Sequence, residues 1–377
     1  MRHAPASEKT TTETALPKNK IISNLVLYPL SKLYGFGVGV RNLMFKWHIL
    51  KQREFDVPVV VVGNIGVGGT GKTPHTEYII DLLRYKYRIG VLSRGYKRHT
   101  KGFILATKRS TPLDIGDEPY QIYQKFGDDV TVAVCEDRCA GIDEMLRLDP
   151  RINLIVLDDA FQHRYVKPTV SIVLTEFNNP VFFDKLLPLG RLREPVSAVY
   201  RADMVVVTKC PEQLKALEYR IFKNNLKLFP FQKLFFSRFC YSPLHPLFPD
   251  STVEIPRLEW LTTNDTLLVL SGIANPKPLI RHLKHFPAKV KVKLFPDHHN
   301  FTRRDLDAIV RRFNELEGVR KYIVTTEKDA VRLVNNPYYP HELKKYIFFQ
   351  PIEVKFDPLN TERFDIELQK MLLNAIK

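Results

Sequence analysis

Residues 57–87 read VPVVVVGNIGVGGTGKTPHTEYIIDLLRYKY. A continuous apolar run, a glycine-rich loop and a helical pattern follow one another without a gap. The run has the composition of a strand buried on both faces, as in a parallel sheet. The loop matches G-x-x-x-x-G-K-[ST] from Gly66 to Thr73. Glycines let the backbone curl until its N–H groups face phosphate oxygens, and the next helix adds its positive N-terminus. Gly66, Gly68, Gly69, Thr70 and Gly71 are therefore the expected cradle. Lys72 reaches the outer phosphates and the Thr73 hydroxyl is placed to ligate Mg²⁺. Pro74 is tolerated in the helix's first turn, so a helix is expected from about 73 to 87.

The rest of the chain continues the alternation. VTVAVC, INLIVLDD, TVSIVLTE and ADMVVVTK read as strands, with helical patterns such as EPYQIYQKF and AGIDEMLRL between them. A restart follows, with TLLVLSGI, KVKVKLF and KYIVTT as strands and DLDAIVRRFNEL as a helix. The fold class expected is α/β: a mostly parallel sheet of P-loop NTPase type flanked by helices, with a second, smaller α/β domain. The expected limits are 51–200 for the nucleotide-binding domain and 201–377 for the smaller one, which contributes to the active-site cleft. Residues 195–205 are expected among the hinge strands.

Two segments precede these domains. Residues 1–20 are polar, without the apolar core of a signal peptide, and are expected to be disordered. Residues 21–50, IISNLVLYPLSKLYGFGVGVRNLMFKWHIL, are apolar and aromatic but interrupted by Lys32, Arg41 and Lys46. No charge-free stretch reaches the roughly 18 residues of a spanning helix. The segment suits either a helix in the water–lipid interface or a core helix capping the sheet, with Gly35, Gly37 and Gly39 marking a bend.

The formal net charge of +16 calls for an anionic partner. Nucleic acid is not favoured. There is no zinc-finger spacing, no RNA-binding aromatic motif and no long basic stripe, and the cations gather in short loops, SRGYKR, FQHR and GRLREP. Arg94, Arg98, His163, Arg164 and Arg193 are candidates for phosphate contacts, Arg193 foremost. Cys135, Cys139, Cys210 and Cys240 form no C-x-x-C pair and read as reduced thiols. INLIVLDD ends in Asp158 and Asp159, the place of a metal-holding carboxylate after a buried strand. A guanine-reading N-K-x-D is missing from VVVTKCP, which argues against GTP.

Seven stretches in this order, GNIGVGGTGKTP, VLSRGYKR, GDEPY, LDDAFQH, LPLGRLREP, FPDHHNF and VTTEKDAVRL, resemble the tetraacyldisaccharide 4′-kinases of lipid A synthesis over about residues 25 to 335. The resemblance implies ATP and Mg²⁺ as cofactors. The implied acceptor is the 4′-hydroxyl of a glycolipid, a tetraacyldisaccharide 1-phosphate, and the implied location is the cytoplasmic face of the inner membrane, bound peripherally or monotopically. The resemblance places Asp158, Asp159 and Glu194 around the metal. It also implies a carboxylate–histidine pair that receives the hydroxyl proton. GDEPY offers Asp117 and Glu118, FPDHHNF offers His298 and His299, and matching the motifs points to Asp117 with His298. Asp117 also reads as a helix cap, and the adjacent histidines should point opposite ways. The chain departs from the family pattern at Ala160, usually Gly, and at Arg191, often Pro. No obligate protein partner is inferred. The alternative is a membrane-peripheral P-loop ATPase that switches a protein partner.

Overall fold

A computed structural model describes residues 23–251, 254–358, 360 and 363–375. The polar segment 1–20 lies outside the described residues. A π-helical turn, Ser23–Leu27, leads into helix α1 (Tyr28–Lys46). The three glycines do not bend it: α1 runs unbroken through Gly35, Gly37 and Gly39. Only Ser31 and Phe45 of α1 are buried. Leu33 is 68% exposed and Phe36 70%, so α1 is not the capping core helix that was one of its two readings.

Strand β1 (Val59–Asn64) is buried along its length. Its side chains alternate between the two cores, Val59 and Val61 on one face of the sheet, Val60 and Val62 on the other. The phosphate-binding loop follows, then α2 (Lys72–Leu83), β2 (Ile89–Ser93) and the two-residue β3 (Ile104–Leu105). Next come α3 (Asp117–Phe126), β4 (Val130–Val134), α4 (Arg138–Leu148), β5 (Leu154–Asp158), β6 (Val170–Glu176) and β7 (Met204–Thr208). Helix α5 (Ala216–Leu226) and β8 (Lys233–Tyr241) complete this run.

A second unit holds β9 (His245–Pro246), β10 (Thr266–Ser271), α6 (Lys277–Leu283), β11 (Lys289–Leu294), α7 (Arg303–Asn314), β12 (Lys321–Thr326), α8 (Glu327–Val334) and β13 (Ile347–Gln350). The chain then returns through β14 (Ile352–Phe356) and α9 (Phe364–Ala375).

The large sheet has the order β14-β8-β7-β6-β1-β5-β2-β4-β3, and the small one β11-β10-β12-β13-β9. In the large sheet β3 and β14 pair antiparallel and the rest parallel. The sheets therefore do not divide the chain near residue 200. β7 is a fully buried apolar strand that must be covered on both faces, and it lies between β6 and β8. Helix α9 buries Phe364, Leu368 and Leu372 against the same core. The chain passes between the sheets at 242–244 and at Pro351, where the Ser242 N–H donates to the Pro351 carbonyl and Gln350 donates to that of Ser242. Residues 195–205 form a turn (Val196–Arg201) that leads into β7, so they join strands of one sheet rather than two sheets.

Candidate active site

The functional side chains lie past the carboxyl ends of β1, β5, β2 and β4, neighbours in the large sheet, where ligands bind in open parallel sheets. Gly71 caps α2 with φ 89°, and a Cβ there would come within 2.4 Å of the Phe239 ring, so glycine is required twice over. The loop is held from both sides. Asn64 donates to the Thr70 hydroxyl at 3.0 Å, and the Thr208 hydroxyl donates to the Thr70 carbonyl at 2.8 Å. Lys209 donates to the Gly69 carbonyl and pairs with Glu176. The TK of VVVTKCP thus braces the phosphate loop instead of reading a base. Behind it, the buried His75 bridges the Gly71 carbonyl (2.7 Å) and the Ser237 hydroxyl (2.8 Å).

Lys72 lies 3.7 Å from Asp159, and Arg193 lies 4.0 Å from the other oxygen of that carboxylate. Thr73 is buried beside them in sequence, and Thr76, one turn on, donates to Asp158 at 2.8 Å. Burial, and then the charges of Glu118 and Asp159, raise the Asp158 carboxyl. Asp158 Oδ2 and Asp159 Oδ1 are buried oxygens without a hydrogen-bond partner. Ala160 is buried, and the positive φ in this stretch falls on Asp159 (48°), so a Cβ at 160 is accommodated. Glu194 is buried too; Arg201 lies 2.7 Å from its carboxylate, and both of its oxygens, like Asp158 Oδ2 and Asp159 Oδ1, are buried without a hydrogen-bond partner.

The other half of the site joins the two sheets. Gly116, with φ 92°, breaks the chain direction so that Asp117 opens α3. Asp117 is not a simple helix cap. His298 Nδ1 lies 3.1 Å from Asp117 Oδ2, and the Arg332 guanidinium donates to both carboxylate oxygens. Lys328 Nζ lies 3.1 Å from His298 Nε2. Arg332 Nη2 lies 2.9 Å from His298 Nδ1, so cationic donors face both ring nitrogens while Nδ1 also faces the Asp117 carboxylate. Burial alone would raise the Asp117 carboxyl, but Arg332, and after it His298, hold it below the usual carboxylate range. His298 adopts φ 62° and points to Asp117, while His299 pairs with Asp305 at the start of α7 (3.0 Å).

Sequence reasoning passed over four participants. Arg332 and Lys328 lie in VTTEKDAVRL, a stretch singled out only as a motif. Glu118 was weighed only as a base, and its charge acts on Asp158. Arg138, at the first turn of α4, is 3% exposed with an unpartnered Nε. Burial and then the charge of Arg94 lower its pKa, against the pull of Asp159 and Asp158. Its signal was position: an arginine directly after β4, whose end joins the site. Burial and then the charge of Arg138 lower the pKa of His163 to about 4, so it is a neutral imidazole near pH 7 and adds no charge there. Arg98 and Arg164 have structural partners instead, Glu136 (2.6 Å) and the Asn42 side chain (2.9 Å). Arg191 pairs with Asp184 at 2.8 Å.

The comparisons agree with this architecture. The sequence pattern of the family described as tetraacyldisaccharide-1-P 4′-kinase matches residues 23–372. A tetraacyldisaccharide 4′-kinase of Bacteroides thetaiotaomicron is 50% identical over 346 residues, 90% of each chain. One of Parabacteroides distasonis is 45% identical over 96% of this chain and 98% of the relative. Among solved structures, LpxK from Aquifex aeolicus in complex with ATP superposes with a TM-score of 0.71 at 27% identity, covering 95% of this chain and all of that one. Half of 346 aligned positions shared with such a relative is far beyond what a common phosphate loop would leave, and the chain belongs to the tetraacyldisaccharide 4′-kinase family.

Proposed function

We propose that the protein transfers the γ-phosphate of ATP to the 4′-hydroxyl of a tetraacyldisaccharide 1-phosphate, with the reaction centred between the two sheets. The observation that carries this reading is the pairing of Asp117, from the large sheet's side, with His298 of the small sheet, at 3.1 Å.

In the transfer, the 4′-oxygen forms a bond to the γ-phosphorus and the bond from that phosphorus to the β–γ bridging oxygen breaks, releasing ADP. The hydroxyl proton passes to Asp117. A carboxyl held this acidic is a weak base, which suits a loose phosphoryl transition state in which little proton transfer is needed early. Asp117 thus chiefly orients the hydroxyl, and His298 holds Asp117 in place. Lys72 and Arg193 stabilise the phosphate charge, supported by Arg138, with His163 beside them as a neutral imidazole. The glycines from Gly66 to Gly71 and Thr70 present backbone to the phosphates.

The two orphaned oxygens of Asp158 and Asp159 fit a hard divalent cation, and with the Thr73 hydroxyl they would hold Mg²⁺. The ion neutralises charge on the transferring phosphate. Glu194, whose two oxygens are likewise buried without a hydrogen-bond partner, would join Asp158 and Asp159 in holding the ion.

Among the described residues no helix is long and apolar enough to cross a membrane. Helix α1 instead rests on the membrane surface, at the cytoplasmic face of the inner membrane. Leu33, Phe36 and Trp47 are exposed, with Lys32, Arg41 and Lys46 spaced along the same helix. Its inner side touches the site's loop: Tyr34 donates to the Arg193 carbonyl at 2.9 Å, and Ser31 to that of Leu186 at 2.9 Å.

The test uses γ-labelled ATP, Mg²⁺ and detergent-dispersed disaccharide 1-phosphate lipid, with label followed into lipid and into free phosphate separately. Label in the lipid is expected. Label only in free phosphate, at a rate indifferent to lipid, overturns the proposal in favour of a switch ATPase.

A further inference from the structure

Away from the reacting groups, three helices meet at an ionic knot around the buried Glu77, with the cation, Lys125, at its exposed edge. Gln121 Nε2 donates to Glu77 Oε1 at 2.7 Å, and Lys125 Nζ donates to Glu77 Oε2 at 2.6 Å. The same Lys125 nitrogen lies 3.6 Å from Glu327 Oε1. Glu77 is 4% exposed. Burial and then the charge of Glu327 push its carboxyl up, against Lys125.

Each of these helices also carries a group of the site. Helix α2 opens with Lys72 and Thr73 and holds Glu77 about a turn later. Asp117, Gln121 and Lys125 follow one another at four-residue spacing on one face of α3. Helix α8 opens with Glu327 and then presents Lys328 and Arg332. One cation between the buried Glu77 and the partly buried Glu327 is a poor way to add stability, since apolar side chains would pack against Glu77's site at less desolvation cost. Its geometry is directional, however, and sets the register of the helices it joins.

We propose that Lys125 is a positioning residue. By bridging Glu77 of the phosphate-loop helix to Glu327 of the small sheet's α8, it holds Lys328 and Arg332, and through them the Asp117–His298 pair, in line with the donor phosphate. This rests on the kinase reading for its catalytic consequence, but the bridge itself is readable without any turnover.

The experiment compares full-length wild type with Lys125→Met, Lys125→Arg and the double variant Lys125→Met/Glu327→Gln. Hydrogen exchange of the α8 amides is read first. Lys125→Met should speed it by about tenfold or more while the β1 and β5 amides stay protected. Transfer of label to lipid is read next. A misplacement near 1 Å costs about 10²-fold in rate, so kcat should fall between about 10- and 100-fold with the KM for ATP within about threefold. Lys125→Arg should recover most of it. The double variant removes the residual repulsion between Glu77 and Glu327, so its thermal midpoint should return toward wild type while kcat stays low. If kcat and midpoint recover together, Lys125 only stabilises the fold and the proposal is overturned. Unchanged α8 exchange in Lys125→Met overturns it as well. Failure of wild type to label lipid is a separate result that sinks the kinase reading, and the exchange data still decide the bridge.

Discussion

The donor and receiver halves of the site are built in different ways. The donor half is backbone. Its phosphate loop is contiguous in sequence, fixed by glycine conformations and braced by Thr208, Lys209 and His75 of or against one sheet. The receiver half is side chains. Asp117, His298, Lys328 and Arg332 come from three separate segments and meet only where the two sheets touch. A backbone cradle is rigid before any ligand arrives, whereas an ion network across an interface depends on how two bodies are held together. The donor half should therefore respond to substitution by losing charge, and the receiver half by losing alignment.

The largest effect tests the donor side. Lys72→Ala removes the cation beside Asp159 and should lower kcat by roughly 10³-fold. The fold should be retained, because the loop's bracing hydrogen bonds do not use the Lys72 side chain. A thermal unfolding midpoint within a few degrees of wild type, alongside the lost transfer, would meet both halves of the expectation. Next is Asp117→Asn, which keeps the shape and removes the charge. A drop of about 10²- to 10⁴-fold in kcat is expected, with the KM for ATP little changed. Wild-type kcat in this variant would remove Asp117 from the mechanism.

Arg332→Gln sharpens the comparison through pH. Arg332 is the foremost group holding the Asp117 carboxyl down against burial. Without it the folded-state pKa of Asp117 rises, so the acidic limb of the kcat/KM profile should move to higher pH, with a fall of about tenfold or more on the plateau. The linkage has the same sign. A carboxyl depressed in the folded state contributes stability above its unfolded pKa and loses it as pH falls through the folded value. Arg332→Gln should therefore flatten the acid dependence of the unfolding midpoint. An acid limb that stays in place would show that the profile reports another group.

The same contrast explains what the sequence reveals. Asp158 and Asp159 are legible because they end a buried strand, Lys72 and Thr73 because they close a glycine loop between a buried strand and a helix, and in a parallel sheet strand ends converge. Asp117 and His298 became legible only through resemblance, since 181 residues separate them and no periodicity links α3 to the loop after β11. Arg332 and Lys328 sit on a helix whose pattern reads as packing, and what reveals their role is the face that α8 turns toward α3. The displaced boundary has a similar cause. Strands β7, β8 and β14 have the composition of any buried strand, and which sheet they join is set by neighbours far away in the chain. Helix α1 was ambiguous for a different reason: apolar side chains with spaced cations suit a core or an interface equally until exposure is known.

A smaller effect is expected outside the reacting groups. Leu33→Asp with Phe36→Asp places charges on the exposed face of α1 without touching Ser31, Tyr34 or Phe45, its inner contacts. Each apolar side chain withdrawn from lipid forfeits about 1.5–3 kcal/mol. Co-sedimentation with anionic vesicles should fall by at least about tenfold, while transfer to a detergent-dispersed acceptor stays near wild type. Equal vesicle binding by wild type and variant would return α1 to a scaffold role.

The smallest effect joins the two halves to helix α1. Tyr34 reaches from α1 to the carbonyl of Arg193, whose guanidinium faces Asp159. A helix seated in lipid would thereby hold the loop that contacts the phosphates, so seating and catalysis would share one hydrogen bond. Tyr34→Phe removes that bond and keeps the ring, at a cost of about 1 kcal/mol to the loop's position. Because the loop belongs to the donor half, the change should appear as a rise of a few-fold in the KM for ATP, not in the acid limb that reports Asp117. It should also be larger with vesicle-borne acceptor than with acceptor in detergent. A rise that is the same in both settings would make the Tyr34 contact ordinary packing and leave α1 as an anchor uncoupled from the chemistry.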